Sequence, residues 1–326
     1  MRRMLRFLGF TLLGLVGLAA LLGALLGYLV YSPEPELPQL SGTVAKGAME
    51  AGGLQRTYRS YLPRDLPKGA PLVIVMHGSG ENSASSRIET GYGFERLADK
   101  HGFAVVYPDS YTFDWNDCST IGEFSANGRP VDDVGFLGAL VDKLAAETGI
   151  DPGRVFATGI SAGGSMSIRL ALEAPARYRA VAAVAASVPA PENFKCQPAG
   201  PGPSVMIMNG TKDPLVPFNG GEINLLGMFY KGGNVKPSPE AGQYFADLNK
   251  LSGAPETVKT PGADGISAEH TRWRNGGKTE VELVTIHGGG HGIPQPYRRL
   301  PRLLGPSASE PNGPELIWAF FQRQSQ

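Results

Sequence analysis

Cysteine is scarce in this chain of 326 residues, occurring only as Cys118 and Cys196. No cysteine precedes Cys118, which excludes a lipoprotein anchor near the amino end. Net charge is missing too. Thirty basic side chains balance 30 acidic ones, and setting aside the three arginines of the first 31 residues leaves 27 against 30. A balance this even provides no field to draw in a polyanion, so nucleic acid is not expected as a partner. Internal repeats, heptads and a low-complexity tail are also absent.

Charge is wholly absent between Phe7 and Tyr31, a run of 25 residues preceded by Arg2, Arg3 and Arg6. As a helix this run spans about 37 Å, enough to cross a hydrocarbon core of about 30 Å with some tilt. The arginines predict a cytoplasmic amino end and an exported remainder. A cleaved signal peptide is the competing reading, although Leu29-Val30-Tyr31 provides no A-x-A-like site. Membrane contact is therefore expected through residues 7–31. The organisation expected is an anchor or signal segment over 1–31, a Pro-rich linker over 32–50 and one folded domain over 51–326. In an exported, oxidising compartment the even cysteine count favours a disulfide between Cys118 and Cys196; two buried thiols are the alternative.

Strand and helix patterns alternate along the rest of the chain. Arg56 to Leu62 alternates like an edge strand, whereas Pro71–Met76, Phe103–Tyr107, Arg154–Thr158, Val181–Val188, Ser204–Met208 and Val281–Ile286 read as further, mostly apolar strands. Asp133 to Glu147 places Phe136, Leu137, Leu140, Val141 and Leu144 at helical spacing. Glu315 to Arg323 reads as a terminal helix. The fold class this implies is α/β, with a mostly parallel sheet covered by helices on both faces. In such sheets chemistry gathers at the carboxyl ends of strands, where His77, Ser161, Asp213 and His291 all fall.

Gly159-Ile160-Ser161-Ala162-Gly163 matches G-x-S-x-G, a sharp strand-to-helix turn that lifts a serine above a sheet. A serine hydroxyl needs a base within reach and a group to orient that base. Ser161, Asp213 and His291 occur in the chain order nucleophile, acid, base that α/β-hydrolases use. His287 also follows the last strand, but Gly288-Gly289-Gly290 lets the chain bend back and favours His291. Asp247 and Asp264 are alternative acids that follow no expected strand. The amides of Ala162 and of Ser79, within His77-Gly78-Ser79-Gly80, are the expected oxyanion donors. Trp115, after Phe113 and Asp114, is a candidate for stacking on the substrate, or else a buried structural residue. The segment 219–239, with Leu225, Leu226, Met228 and Phe229, reads as a flap or a surface excursion.

From about Arg56 onward the chain resembles the polyhydroxybutyrate depolymerase-like esterases, which include feruloyl and acetylxylan esterases. The resemblance rests on Val75-Met76-His77-Gly78, Val131 to Phe136, Gly159 to Gly164, Asn209 to Gly221 and Gly288 to His291. It implies the α/β-hydrolase fold, secretion, and carboxylic ester hydrolysis without metal or organic cofactor, while a membrane-tethered enzyme suits small or oligomeric esters better than an insoluble granule. It also implies nucleophile, acid and base at Ser161, Asp213 and His291. Gly292 and Ile293 stand where the family usually shows threonine and tryptophan, so Ile293 is expected to alter the wall of the binding cleft. A serine peptidase of the same fold and a non-catalytic binding protein are the competing functions.

Overall fold

The computed structural model describes residues 2–121, 125–126, 129–225, 231–263, 265–277 and 279–325. It opens with helix α1 (Arg2–Val30). Within it Phe10–Val30 is long and apolar enough to cross a membrane, and none of that stretch is buried against the rest of the chain. An uncharged run that satisfies its own backbone hydrogen bonds has no need of a protein partner in lipid. The end of α1 is seated on a carboxyl-terminal loop. Arg302 donates from Nη1 to the Tyr28 carbonyl at 3.1 Å and lies over the Tyr28 ring at 4.1 Å. Ser32 donates to the Arg299 carbonyl at 2.6 Å.

The sheet begins earlier than the sequence pattern suggests. Residues 32–50 are not all linker, because β1 (Thr43–Ala51) pairs antiparallel with β2 (Leu54–Leu62) along its whole length. The two are joined by Gly52 and Gly53, whose φ values of +60° and +75° are those of a tight hairpin turn that glycine adopts freely. The strand was hidden because Thr43 to Ala51 has no buried residue, leaving no apolar alternation to read.

Eight more strands complete the main sheet: β3 (Leu72–Met76), β4 (Ala104–Pro108), β5 (Val155–Ile160), β6 (Ala180–Val184), β7 (Ser204–Gly210), β8 (Glu256–Pro261), β9 (Ser267–Trp273) and β10 (Val281–His287). Among the described residues the sheet has ten strands in the order β1-β2-β4-β3-β5-β6-β7-β10-β9-β8. The central block from β4 to β10 is parallel, and at each edge two further strands are added, each paired antiparallel with its neighbour. Every residue of β3 to β7 is buried, which is why these strands read as unbroken apolar runs.

Seven helices are described. After α1 come α2 (Ser83–Glu89), α3 (Gly93–His101), α4 (Asp133–Thr148), α5 (Ala162–Glu173), α6 (Ser238–Leu248) and α7 (Gly313–Arg323). One face of the sheet packs on α4, α5 and α6 through Phe136, Leu140, Met166, Leu170 and Phe245. The other packs on α3 and α7 through Phe94, Trp318, Phe320 and Phe321. Asp133, at the start of α4, joins three parts of the first layer. Its Oδ1 pairs with buried Arg56 on β2 at 2.7 Å and its Oδ2 accepts the Asn116 amide at 2.8 Å. Cys118 and Cys196 form a disulfide with Cα atoms 5.0 Å apart, tying the loop after β4 to the chain after β6.

Candidate active site

Loops at the carboxyl ends of β3, β4, β5, β6, β7 and β10 surround a cavity of about 290 Å³. Ser161 sits between β5 and α5 with φ 56° and ψ −119°, a conformation that residues bearing a Cβ rarely adopt. The turn is held by its own amide, which donates to the Val184 carbonyl at 2.9 Å, and by Ser165, whose amide donates to the Ser161 carbonyl at 2.9 Å. The flanking glycines are demanded by close approach. A Cβ on Gly159 would lie 2.3 Å from the Gly163 backbone, and one on Gly163 would lie 2.3 Å from the Met76 carbonyl oxygen.

Asp213 follows β7, and its side chain is almost completely buried. Its Oδ1 accepts the amides of Leu215 at 2.8 Å and Val216 at 2.9 Å. Its Oδ2 lies 2.8 Å from Nδ1 of His291, which follows β10. With Nδ1 donating to that carboxylate, Nε2 is left as the acceptor. The backbone of His291 is fixed as well, its amide donating to the Leu304 carbonyl at 2.7 Å. The glycines before it serve close packing: a Cβ on Gly290 would lie 2.3 Å from that same Leu304 oxygen. His291 and Ser161 both line the cavity.

The loop after β3 passes beside the serine, so that a Cβ on Gly78 would stand 3.6 Å from Cβ of Ser161. Within it the Gly78 amide donates to Oε2 of Glu81 at 3.1 Å and the Gly80 amide to the Phe113 carbonyl at 2.9 Å. The Ser79 amide between them, and the Ala162 amide at the start of α5, have no hydrogen-bond partner among the described residues. Two unpaired donors beside a strained serine can receive a developing oxyanion.

Two residues expected at the cleft wall stand elsewhere. Trp115 is completely buried and does not line the cavity. Its indole N–H donates to the His77 carbonyl at 3.0 Å, so it braces the loop that carries Ser79 from behind. Ile293 is also buried, in the layer that includes α7, and its Cγ1 lies where a Cβ on Gly313 would be 2.6 Å away. Phe113, two residues before Trp115, lines the cavity and is 73% exposed. Of the rivals to the chosen base and acid, His287 faces Glu269 at 3.5 Å and Asp247 on α6 accepts from Gln243 at 2.7 Å; neither lines the cavity. Asp264 lies outside the described residues. The expected flap is a short antiparallel hairpin of Gly221–Asn224 with Lys231–Val235. Ile223, Leu225 and Val235 line the cavity, while Leu226, Met228 and Phe229 lie outside the described residues.

The sequence reading missed the acidity of the walls. Glu81, Glu89, Asp114 and Asp117 all line the cavity. Burial, reinforced by the neighbouring Glu81, raises Glu89 well above the usual carboxylate range. Burial also raises Asp114, and it pushes Asp117 up to about 6 against its bonds to Ser119 and the pull of Lys195. Scattered over 37 positions of chain, these acids carry no spacing from which a site could be recognised.

Comparison with known proteins fits this geometry. The structure of an acetyl xylan esterase from Aspergillus awamori superimposes with a TM-score of 0.58 over 86% of this chain and all of that one, at 17% identity, which defines the α/β-hydrolase fold. A family model described as esterase PHB depolymerase matches residues 56–196. A putative esterase, NocK, of Nocardia uniformis subsp. tsuyamanensis is 31% identical, covering 84% of this chain and 81% of its own. A poly(3-hydroxyalkanoate) depolymerase C of Paucimonas lemoignei is 26% identical over 72% of this chain and 58% of its own. The protein is a carboxylic ester hydrolase. It belongs to the polyhydroxybutyrate depolymerase-like esterase family.

Proposed function

We propose that Ser161 is the nucleophile, His291 the general base and acid, and Asp213 the group that orients it, in an exported esterase held at a membrane by residues 7–31. The observation that carries the mechanism is the 2.8 Å pairing of Asp213 with His291 in a cavity that also holds Ser161 on its strained turn. Ser161 Oγ attacks the ester carbonyl while Nε2 of His291 takes its proton. Asp213 stabilises the imidazolium that forms. The Ser79 and Ala162 amides hold the oxyanion. The alcohol leaves with the proton from Nε2, and the acyl-enzyme is released when water attacks through the same base. Hydroxyalkanoate, phenolic and acetyl esters are the substrate classes in view, and the membrane-held domain meets them outside the cytoplasm. The apolar helix and the disulfide support export.

Fluorophosphonate labelling of the detergent-solubilised full chain tests the nucleophile. Wild type should label at Ser161 and hydrolyse short nitrophenyl esters, and Ser161→Ala should lose both, with turnover down by a factor of about a thousand or more. Retention of more than about a tenth of the activity in Ser161→Ala refutes the assignment. Turnover of aminoacyl anilides in preference to esters would make the protein a peptidase. Fractionation should place it in the membrane pellet, released by detergent and not by salt. A soluble mature form starting beyond residue 25 or so would refute the anchor.

A further inference from the structure

Esters differ in what they carry next to the scissile bond, and the charges around the catalytic cavity discriminate among them. Four carboxyl-bearing side chains line it, Glu81, Glu89, Asp114 and Asp117, and among the described lining residues there is no lysine or arginine. The basic groups that act on these acids, Arg298 on Glu89 and Lys195 with Arg169 on Asp117, stand behind the walls rather than in them. The acids are not all paired off. Glu89 is 8% exposed, and its Oε2 is buried without a hydrogen-bond partner.

Three of the four are gathered around the loop that carries Ser79. Glu81 accepts the Gly78 amide at 3.1 Å, Asp114 accepts the Ser79 hydroxyl at 2.7 Å, and Glu81 bears electrostatically on Glu89. The ring of Phe113 lies over the same loop, so close that a Cβ on Gly80 would meet it at 2.6 Å. An exposed aromatic face beside carboxylates, in a cavity that excludes part of the solvent, attracts an organic cation and repels an anion.

We propose that the cavity selects esters bearing a cationic group, such as a quaternary ammonium, a few atoms from the scissile carbonyl, with Glu81, Asp114 and Phe113 as the determinants. This rests on the esterase reading of the same cavity and deepens it. An ester with a free carboxylate at that end is disfavoured by the same charges. An uncharged ester is turned over without the electrostatic gain.

The experiment compares a choline ester, butyrylcholine, with its uncharged carbon isostere, 3,3-dimethylbutyl butyrate, on the full chain in detergent. The expected ratio of kcat/KM favours the choline ester by about tenfold at low ionic strength and shrinks as sodium chloride approaches 0.5 M, roughly where the screening length falls to a few ångströms. Tetramethylammonium should compete with the neutral ester beyond the effect of sodium at equal ionic strength. Glu81→Gln and Asp114→Asn should each lower the ratio by about threefold or more, since each removes one attracting charge, and in Glu81→Gln the amide oxygen can still accept the Gly78 amide. Where a variant fails to fold, salt dependence and tetramethylammonium competition in the wild type decide. A wild-type ratio at or below one, with the neutral ester turned over, overturns the proposal and leaves the esterase reading standing. No turnover of either ester and no fluorophosphonate label would instead overturn the esterase reading.

Discussion

Trp115 and His77 are joined through the indole N–H of one and the main-chain carbonyl of the other, 3.0 Å apart, with their rings 5.0 Å from centroid to centroid. The other side of His77 is fixed as well, because its Nε2 accepts the Ser110 amide at 3.0 Å. The loop that carries Ser79 thus hangs from a buried frame, and Trp115 positions it without meeting the substrate.

Trp115→Phe keeps most of the buried apolar volume but leaves the His77 carbonyl without its donor, at a cost of about 1–3 kcal/mol. The expected kinetic result is a fall in kcat of about tenfold with KM within about twofold, because the Ser79 amide proposed as an oxyanion donor shifts while the cavity walls stay in place. Steady-state kinetics on a short nitrophenyl ester checks this. A rise in KM with kcat unchanged would return Trp115 to the cleft wall.

Ser161 holds φ 56° because the β5–α5 turn requires it, and such strain costs about 1–3 kcal/mol for a residue with a Cβ. Ser161→Gly removes the strain, whereas Ser161→Ala keeps it. Glycine's extra freedom in the unfolded chain returns roughly 0.5–1 kcal/mol. The glycine variant should therefore be the more stable of the two by about 1 kcal/mol, read from denaturant midpoints. An alanine variant as stable as the glycine one would mean the turn relaxes in solution.

Asp117 gives a signed dependence on pH. Burial raises its pKa in the folded chain to about 6 from 3.8. Between those values the folded state binds more protons than the unfolded one, so stability falls as pH rises through about 4 to about 6, by up to about 3 kcal/mol. Asp117→Asn cannot ionise, and its side-chain oxygen can still accept the Ser119 amide that Oδ1 accepts at 2.7 Å. The gap between Asp117→Asn and wild type, followed by chemical denaturation, should shift in favour of the variant across that window. A gap independent of pH would mean that Asp117 stays solvated.

The parallel centre of the sheet was legible because β3 to β7 are buried on both faces and read as apolar runs closed by glycine or proline. The disulfide followed from two cysteines and an export signal. Trp115 and Ile293 were misplaced for a common reason. A position in a loop or next to a histidine fixes where the backbone goes, while the direction of a side chain depends on partners far away in sequence, here His77 and Gly313. The paired aspartates after Val131 formed part of a family pattern, yet their roles lie in packing: Asp132 caps α4 through the Gly135 amide at 2.8 Å, and Asp133 holds Arg56. The acidic walls were invisible because they join four separate loop positions. Strand β1 escaped notice because an exposed edge needs no apolar face.

The bridge between Cys118 and Cys196 closes a covalent ring of chain, and Ser161 lies inside it while Asp213 and His291 lie outside. One scission at any peptide bond within the ring therefore releases no fragment. The two pieces remain tethered, migrate together without reductant, and separate only when the bridge is opened. A protease that clips this molecule once between those cysteines leaves the serine and the histidine on one connected body, whereas a single clip between Cys196 and Asp213 severs the covalent link between them.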